Sequence, residues 1–324
     1  MEEFIGFNDI LEGFNKRVDK GTLSHAHLIV GPDGIGKSIL ARKFALKILG
    51  KEIDKDYIDI IHYRAKKASF GVDDVRGIIE EIMKRPYEGD KKVVIIHEGN
   101  KLTVQAQNAL LKTIEEPPKG VYIILLTDSI ELMLDTIKSR CQIYKLTPLS
   151  KDEVNRYISR LGKFNDNKVL SAIAYGEGIP GRAERILNDE KLNLLRNCII
   201  DLLTDIDSRS NNIVLNYEKR LDSFKDSKEE VLNILESLIR DIIVYKELQD
   251  EKMIMNIDKL EDIDRFSSNK SYKKLSAMLE KIKEARINIP STLGTNWRWR
   301  MSKNDLTDEL AEKLKELNKL YGRI

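Results

Sequence analysis

Through roughly the first 147 residues, short apolar runs rich in β-branched residues alternate with stretches of helical period. Ala26-His27-Leu28-Ile29-Val30 reads as a buried strand that feeds a glycine-rich loop, and a helix is predicted from Lys37 to Leu49. Tyr57 to His62 is a second strand candidate, and Val72 to Lys84 an amphipathic helix with Asp73 and Asp74 near its positive end. A third strand is expected over Lys92 to Ile96, then a helix from Thr103 to Glu115 that Pro117-Pro118 brings to a stop. Val121 to Leu126 and Gln142 to Leu146 supply the fourth and fifth strands. Strands that are apolar along their whole length, with helices between them, predict a parallel sheet covered on both faces.

After Thr147 the strand pattern ends. Ser150 with Glu153 three positions on makes a capping box, and Gly176 to Gly181 separates two short helical segments. Helices are then expected over Leu192 to Leu203, Lys228 to Leu248, Tyr272 to Arg286 and Leu306 to Leu320. The resulting expectation is an α/β domain over residues 1–147, a small helical domain over 148–190 and an all-α domain over 191–324. The charged stretch 303–324 is either a packed amphipathic helix or a loosely attached tail.

Composition narrows the function classes. Lys and Arg total 55 against 53 Asp and Glu, so no global charge draws the chain to nucleic acid or an anionic membrane; such contact would need a local patch. The two cysteines, Cys141 and Cys198, have no metal-binding or redox spacing, which fits a reducing compartment. The beginning Met1-Glu2-Glu3-Phe4 lacks an apolar signal core, and no apolar run is long enough to span a bilayer. A cytoplasmic protein without membrane contact is expected.

The chemistry concentrates at Gly31-Pro32-Asp33-Gly34-Ile35-Gly36-Lys37-Ser38, a complete phosphate-loop pattern between a strand and a helix. Gly31, Gly34 and Gly36 allow backbone amides to turn inward around phosphate oxygens. Lys37 is placed to reach the β and γ phosphates and Ser38 to ligate magnesium, with the helix N-terminus adding positive potential. ATP or ADP, with magnesium through Ser38 and the phosphates, is therefore the expected ligand. The strand Val93-Val94-Ile95-Ile96, however, runs into His97-Glu98, where a nucleotide hydrolase places Asp-Glu. Magnesium prefers hard, anionic oxygen, so a neutral imidazole at position 97 weakens its support. His97 is read either as a strand-end residue with a local hydrogen bond or as part of the site. Glu98 stands where a hydrolase keeps the carboxylate that orients water, a candidate catalytic group.

The stretch from Asn100 to Pro118, with Leu126-Thr127 and Ser139-Arg140-Cys141 after it, resembles the clamp-loader branch of the AAA+ ATPases. Phe4-Ile5-Gly6 and Ser24 to Gly31 strengthen the resemblance, which covers about Ile5 to Arg182. It implies an AAA+ domain, a helical lid and a helical carboxy-terminal collar for oligomerisation. It also implies that Arg140 is presented in trans to nucleotide on a neighbouring subunit; a salt bridge at a helix end is the plainer alternative. A guanidinium suits the trans role, being always charged and able to bridge phosphate oxygens. Thr127 matches a polar sensor facing the γ phosphate, or else satisfies strand-end backbone groups. Arg182, after Gly178-Ile179-Pro180-Gly181, matches a lid sensor, or else is a solvated helix-start arginine. Expected partners are gamma/tau-type and delta-type clamp-loader subunits, with the sliding clamp and primed DNA reached through the assembled ring.

Two departures shape the expectation. Leu49 to Asp56 holds no cysteine, so the zinc module of many relatives is not expected, and no metal ligand set is predicted. Position 97 argues for a stator whose own hydrolysis is weak or absent. A motor subunit of the same ring is the alternative, and a small-molecule kinase a more distant one. Thr295-Asn296-Trp297-Arg298-Trp299-Arg300 is aromatic and basic; it either packs within the helical domain or stacks on bases.

Overall fold

A computed structural model describes residues 4–65, 69–206, 212–224 and 227–287. The expected helix over Leu306 to Leu320, the charged stretch 303–324 and the segment Thr295 to Arg300 lie outside them. Two compact units divide the chain, Met1–Asn197 with Asp250–Leu260, and Cys198–Gln249 with Glu261–Ile324.

The first unit is built on five parallel strands: β1 (Ala26–Val30), β2 (Ile60–Tyr63), β3 (Lys92–Ile96), β4 (Val121–Thr127) and β5 (Gln142–Lys145). Their order across the sheet is β2-β3-β4-β1-β5, so β1 lies between β4 and β5. Every residue of β1 and β3 is buried, as the continuous apolar runs require. Helix α1 (Asn8–Asp19) precedes them, and α2 (Lys37–Leu49), α3 (Val72–Met83), α4 (Val104–Glu115) and the single turn α5 (Asp135–Lys138) lie between them along the chain.

Alternation along the strands sorts side chains onto two cores. Leu28, Val94, Ile96, Ile123 and Leu125 pack with Val75, Ile78 and Ile82 of α3 and Ala106, Leu110 and Ile114 of α4. On the other face His27 meets Phe14 of α1, Phe44 of α2 and Tyr144 of β5; the rings of Phe14 and Phe44 stack 3.6 Å apart. Helix α1 carries a strong apolar stripe but was not among the elements expected from sequence. Its basic and acidic residues interrupt the run, and only the buried Phe14 anchors it.

The helical segment of this unit begins with α6 (Lys151–Leu161), whose Ser150–Glu153 capping box forms as expected. It continues with α7 (Asp166–Gly176) and α8 (Pro180–Asn188), separated at the predicted glycines. Helix α9 (Glu190–Asp205) leads from the first unit into the second. In the first unit Arg196, 2% exposed, donates to both carboxylate oxygens of Asp258 at 2.7 and 2.9 Å and to Asn256 at 2.9 Å. The returning segment 250–260 is thereby held by a bidentate, nearly water-free ion pair.

The second unit contains α10 (Asn212–Asp222), α11 (Lys228–Leu248), α12 (Leu260–Asn269) and α13 (Tyr272–Ile287). Helix α11 occupies the range expected from its apolar period. Arg286 of α13 reaches Glu236 at 2.7 Å and Asn233 at 2.5 Å on α11. No helix among the described residues is long and apolar enough to cross a membrane.

Candidate functional site

Strand β1 ends against β4, where the Gly31 amide donates to the Thr127 carbonyl at 3.2 Å. The chain then turns through Gly34 at φ +85° and Gly36 at φ +107°, conformations that side-chain-bearing residues rarely adopt. Gly36 is the residue before α2, so the loop delivers its amides at a helix N-terminus. Lys37 folds back across this loop. Its ammonium donates to the carbonyls of Gly31 at 2.7 Å and Pro32 at 3.0 Å, and to Asp128 Oδ1 at 2.7 Å. Asp128 was not singled out from the sequence; its signal was its place directly after the strand end Thr127.

The neighbouring end of β3 is built differently. His97 is buried, its Nδ1 lies 3.4 Å from Ser38 Oγ and its Nε2 lies 3.1 Å from His62 Nδ1. Burial, with the Arg64 charge and His62 beside it, lowers the His97 pKa to about 4, so the imidazole is neutral at ordinary pH. Sequence reasoning did not pair His62 with this edge. The pairing follows from the register, in which Tyr63 lies beside Ile96 and the His97 amide donates to the Tyr63 carbonyl at 2.8 Å. Glu98 takes the left-handed conformation at φ 55°, and its carboxylate receives Lys101 Nζ at 2.5 Å. That hydrogen bond leads the causes that hold the Glu98 carboxyl below the usual carboxylate range.

The remaining predicted positions separate into two places. Thr127 is fully buried and its hydroxyl donates to the Ser129 carbonyl at 2.8 Å, within its own loop. Arg182 lies at the start of α8 with its guanidinium 3.8 Å from Glu177. Close by, the Gly181 amide donates to the Gly34 carbonyl at 3.0 Å. A Cβ on Gly181 would stand 2.8 Å from Gly34 Cα, so this approach of α8 to the loop requires a glycine. Arg140, following α5, donates to Glu115 at 2.9 Å and to the Thr136 carbonyl at 3.0 Å. It is exposed, and these partners lie outside the phosphate loop.

An open cavity of about 800 Å³ lies beside residues Gly34 to Ser38 and is also lined by Phe4, Ile5, Leu149, Tyr157, Pro180 and Glu184. The Tyr157 hydroxyl donates to Glu184 at 2.6 Å, and burial pushes its pKa upward. The loop glycines, the inward lysine and the adjoining partly apolar cavity suit a nucleotide, with phosphates on the loop amides and Lys37 and a base toward the cavity. The donor set suits magnesium less well: Ser38 offers one hydroxyl oxygen, and its neighbour is an imidazole nitrogen. No cluster of three or more His, Cys, Asp or Glu among the described residues has the makings of a metal site.

Residues 6–150 match the family profile described as DNA polymerase III, delta subunit, and residues 191–298 match the profile for the C terminal of the same subunit. The chain is 30% identical over 202 residues to a DNA polymerase III subunit gamma of Buchnera aphidicola, covering 54% of each protein. It is 30% identical to the subunit delta' of Haemophilus influenzae, across 55% of this chain and 61% of that one. It is 34% identical to the subunit delta' of Escherichia coli, across 40% of this chain and 38% of that one. The chain thus spans about half the length of the curated relatives it matches. With residues 6–150 and 191–298 both matched, the chain belongs to the DNA polymerase III delta-subunit family.

Proposed function

We propose that this chain is a delta-prime-like subunit of a DNA polymerase III clamp loader, acting as a stator that lends Arg140 to nucleotide on a neighbouring subunit. The observation that carries the reading is the contrast between Arg140 and the chain's own site. Arg140 is exposed and paired with the half-exposed Glu115 carboxylate, an arrangement from which a guanidinium can exchange a carboxylate for phosphate oxygens across an interface. At the chain's own loop, His97 stands in the carboxylate position and Glu98 is turned onto Lys101.

In this reading residues 1–147 form the nucleotide-binding domain, 148–190 the lid and 191–324 the collar that joins gamma/tau-type and delta-type subunits. Gly31, Gly34, Gly36, Lys37 and Ser38 hold ATP or ADP, Thr127 and Arg182 border the outer phosphate, and the bound phosphates supply a negative charge that orders the loop. Ser38 and the phosphates are the groups that would hold magnesium, with the His97 imidazole in place of an anionic oxygen beside them. The assembled ring places the sliding clamp on primed DNA. A gamma/tau-like motor is the second reading, favoured by the complete phosphate loop and by the gamma-named relatives.

Co-purification of the full chain with gamma- and delta-type subunits, followed by steady-state ATP turnover of the isolated chain and of the assembly, tests the proposal. Assembly with negligible turnover by the isolated chain is expected. Failure to assemble, or turnover alone at the rate of a ring motor, overturns it.

A further inference from the structure

Lys37 carries three ammonium hydrogens, and the loop carbonyls of Gly31 and Pro32 and the Asp128 carboxylate take all three. The side chain is only 10% exposed, so this is a largely sheltered ion pair rather than a loose surface contact, although Asp128 itself is 46% exposed on its outer side. Its origin lies in what the end of β3, one strand beyond β4, lacks. A phosphate-loop lysine without phosphate needs a counter-charge, and the two positions at the end of β3 do not provide one. His97 is neutral and directed to Ser38 and His62, while the Glu98 carboxylate is engaged by Lys101. Asp128 fills the gap from the end of β4, the strand directly beside β1 and its loop.

A phosphate-loop lysine spans the β and γ phosphates. A diphosphate needs one part of that span and leaves Asp128 able to keep a hydrogen bond from Lys37. A triphosphate brings a further anionic group to the lysine that Asp128 already neutralises, and sets two like charges close together beside the sheltered ammonium. We infer that Asp128 is a built-in counter-ion for Lys37 that makes this loop select nucleoside diphosphate over triphosphate. This rests on the phosphate-loop part of the proposed function and is independent of Arg140 and of ring assembly.

Equilibrium titration of the full chain with fluorescent ADP and ATP analogues, each in magnesium and in EDTA, tests the inference on wild type, Asp128→Asn and Asp128→Ala. The wild type is expected to bind the diphosphate about tenfold more tightly, a difference of about 1.4 kcal/mol. Both variants are expected to narrow that ratio to within about twofold, chiefly by gaining affinity for the triphosphate; binding of triphosphate by the variants alone supports the inference equally. Four results would overturn it: an unchanged ratio; a joint rise of both affinities, which would make Asp128 a general counter-ion; weaker triphosphate binding in magnesium by the variants, which would make the carboxylate a metal ligand; and no nucleotide binding by any of the three proteins. The last leaves assembly with partner subunits, and so the stator reading, to stand or fall separately.

Discussion

The phosphate loop and the end of β3 lie at the same edge of one sheet, yet they are prepared for different tasks. The loop has every element for holding a phosphate chain: two glycines with positive φ, an inward lysine and a helix N-terminus. The end of β3 offers a neutral imidazole joined to a second imidazole, and a glutamate drawn off by its own lysine. Binding and cleavage of a nucleotide need different chemistry, so one chain can carry the groups for the first without those for the second. Phosphate is bound by backbone geometry and one cation; cleavage also needs an anionic metal support and a carboxylate free to orient water. Arg140 belongs to neither region; it is exposed and pairs with the exposed Glu115.

A large expected effect in the isolated chain tests whether the second region lacks the groups for cleavage. Steady-state ATP turnover by the isolated chain should lie on the order of 10²–10⁴-fold below that of a phosphate-loop motor, the usual contribution of a positioned acid or base. Turnover within tenfold of such a motor would erase the distinction between the two regions.

The next effect concerns the buried imidazole. The folded His97 titrates near 4, below its ordinary value of 6.5, because burial disfavours the cation. Its share of stability is therefore fully present above pH 6.5 and is lost as the pH falls towards 4, on the order of 3 kcal/mol. His27, also lowered to about 4 by burial, acts in the same direction. Chemical denaturation across this range should show the loss, and His97→Asn should flatten it by the His97 share. An unaltered slope in that variant would place the effect elsewhere.

A smaller effect should follow from restoring the missing charge. His97→Asp sets a carboxylate beside Ser38 and should raise magnesium-dependent nucleotide affinity about tenfold, while affinity in EDTA stays flat or falls. Equal affinities in the two conditions would show that position 97 does not govern metal support.

Much of this contrast was legible from residues alone. The glycine loop, its strand and its helix were placed correctly because the pattern couples a turn requirement to flanking hydrophobic periods. Likewise, Thr103 was expected within the helix and is instead its cap, its hydroxyl accepting from the Ala106 amide. The substitution at His97 was visible, but its partner His62 was not, since their meeting depends on the register of β2 against β3, which no local pattern specifies. Asp128 was missed for a related reason. It is one of many charged loop residues until the fold sets β4 beside β1 and brings its carboxylate to Lys37. Local signals gave the elements; strand order gave the charges their partners.

The most direct test compares two variants in one reconstituted clamp-loader ring: Arg140→Ala and Lys37→Ala in this subunit, read by ATP turnover of the whole assembly. Removal of Arg140 should cause the greater loss, since arginine fingers contribute about 10³–10⁵ at the site they serve. Removal of Lys37 should act more mildly, through folding and order of the chain's own loop. A larger loss from Lys37→Ala, with Arg140→Ala close to wild type, would contradict the account and make this subunit a motor.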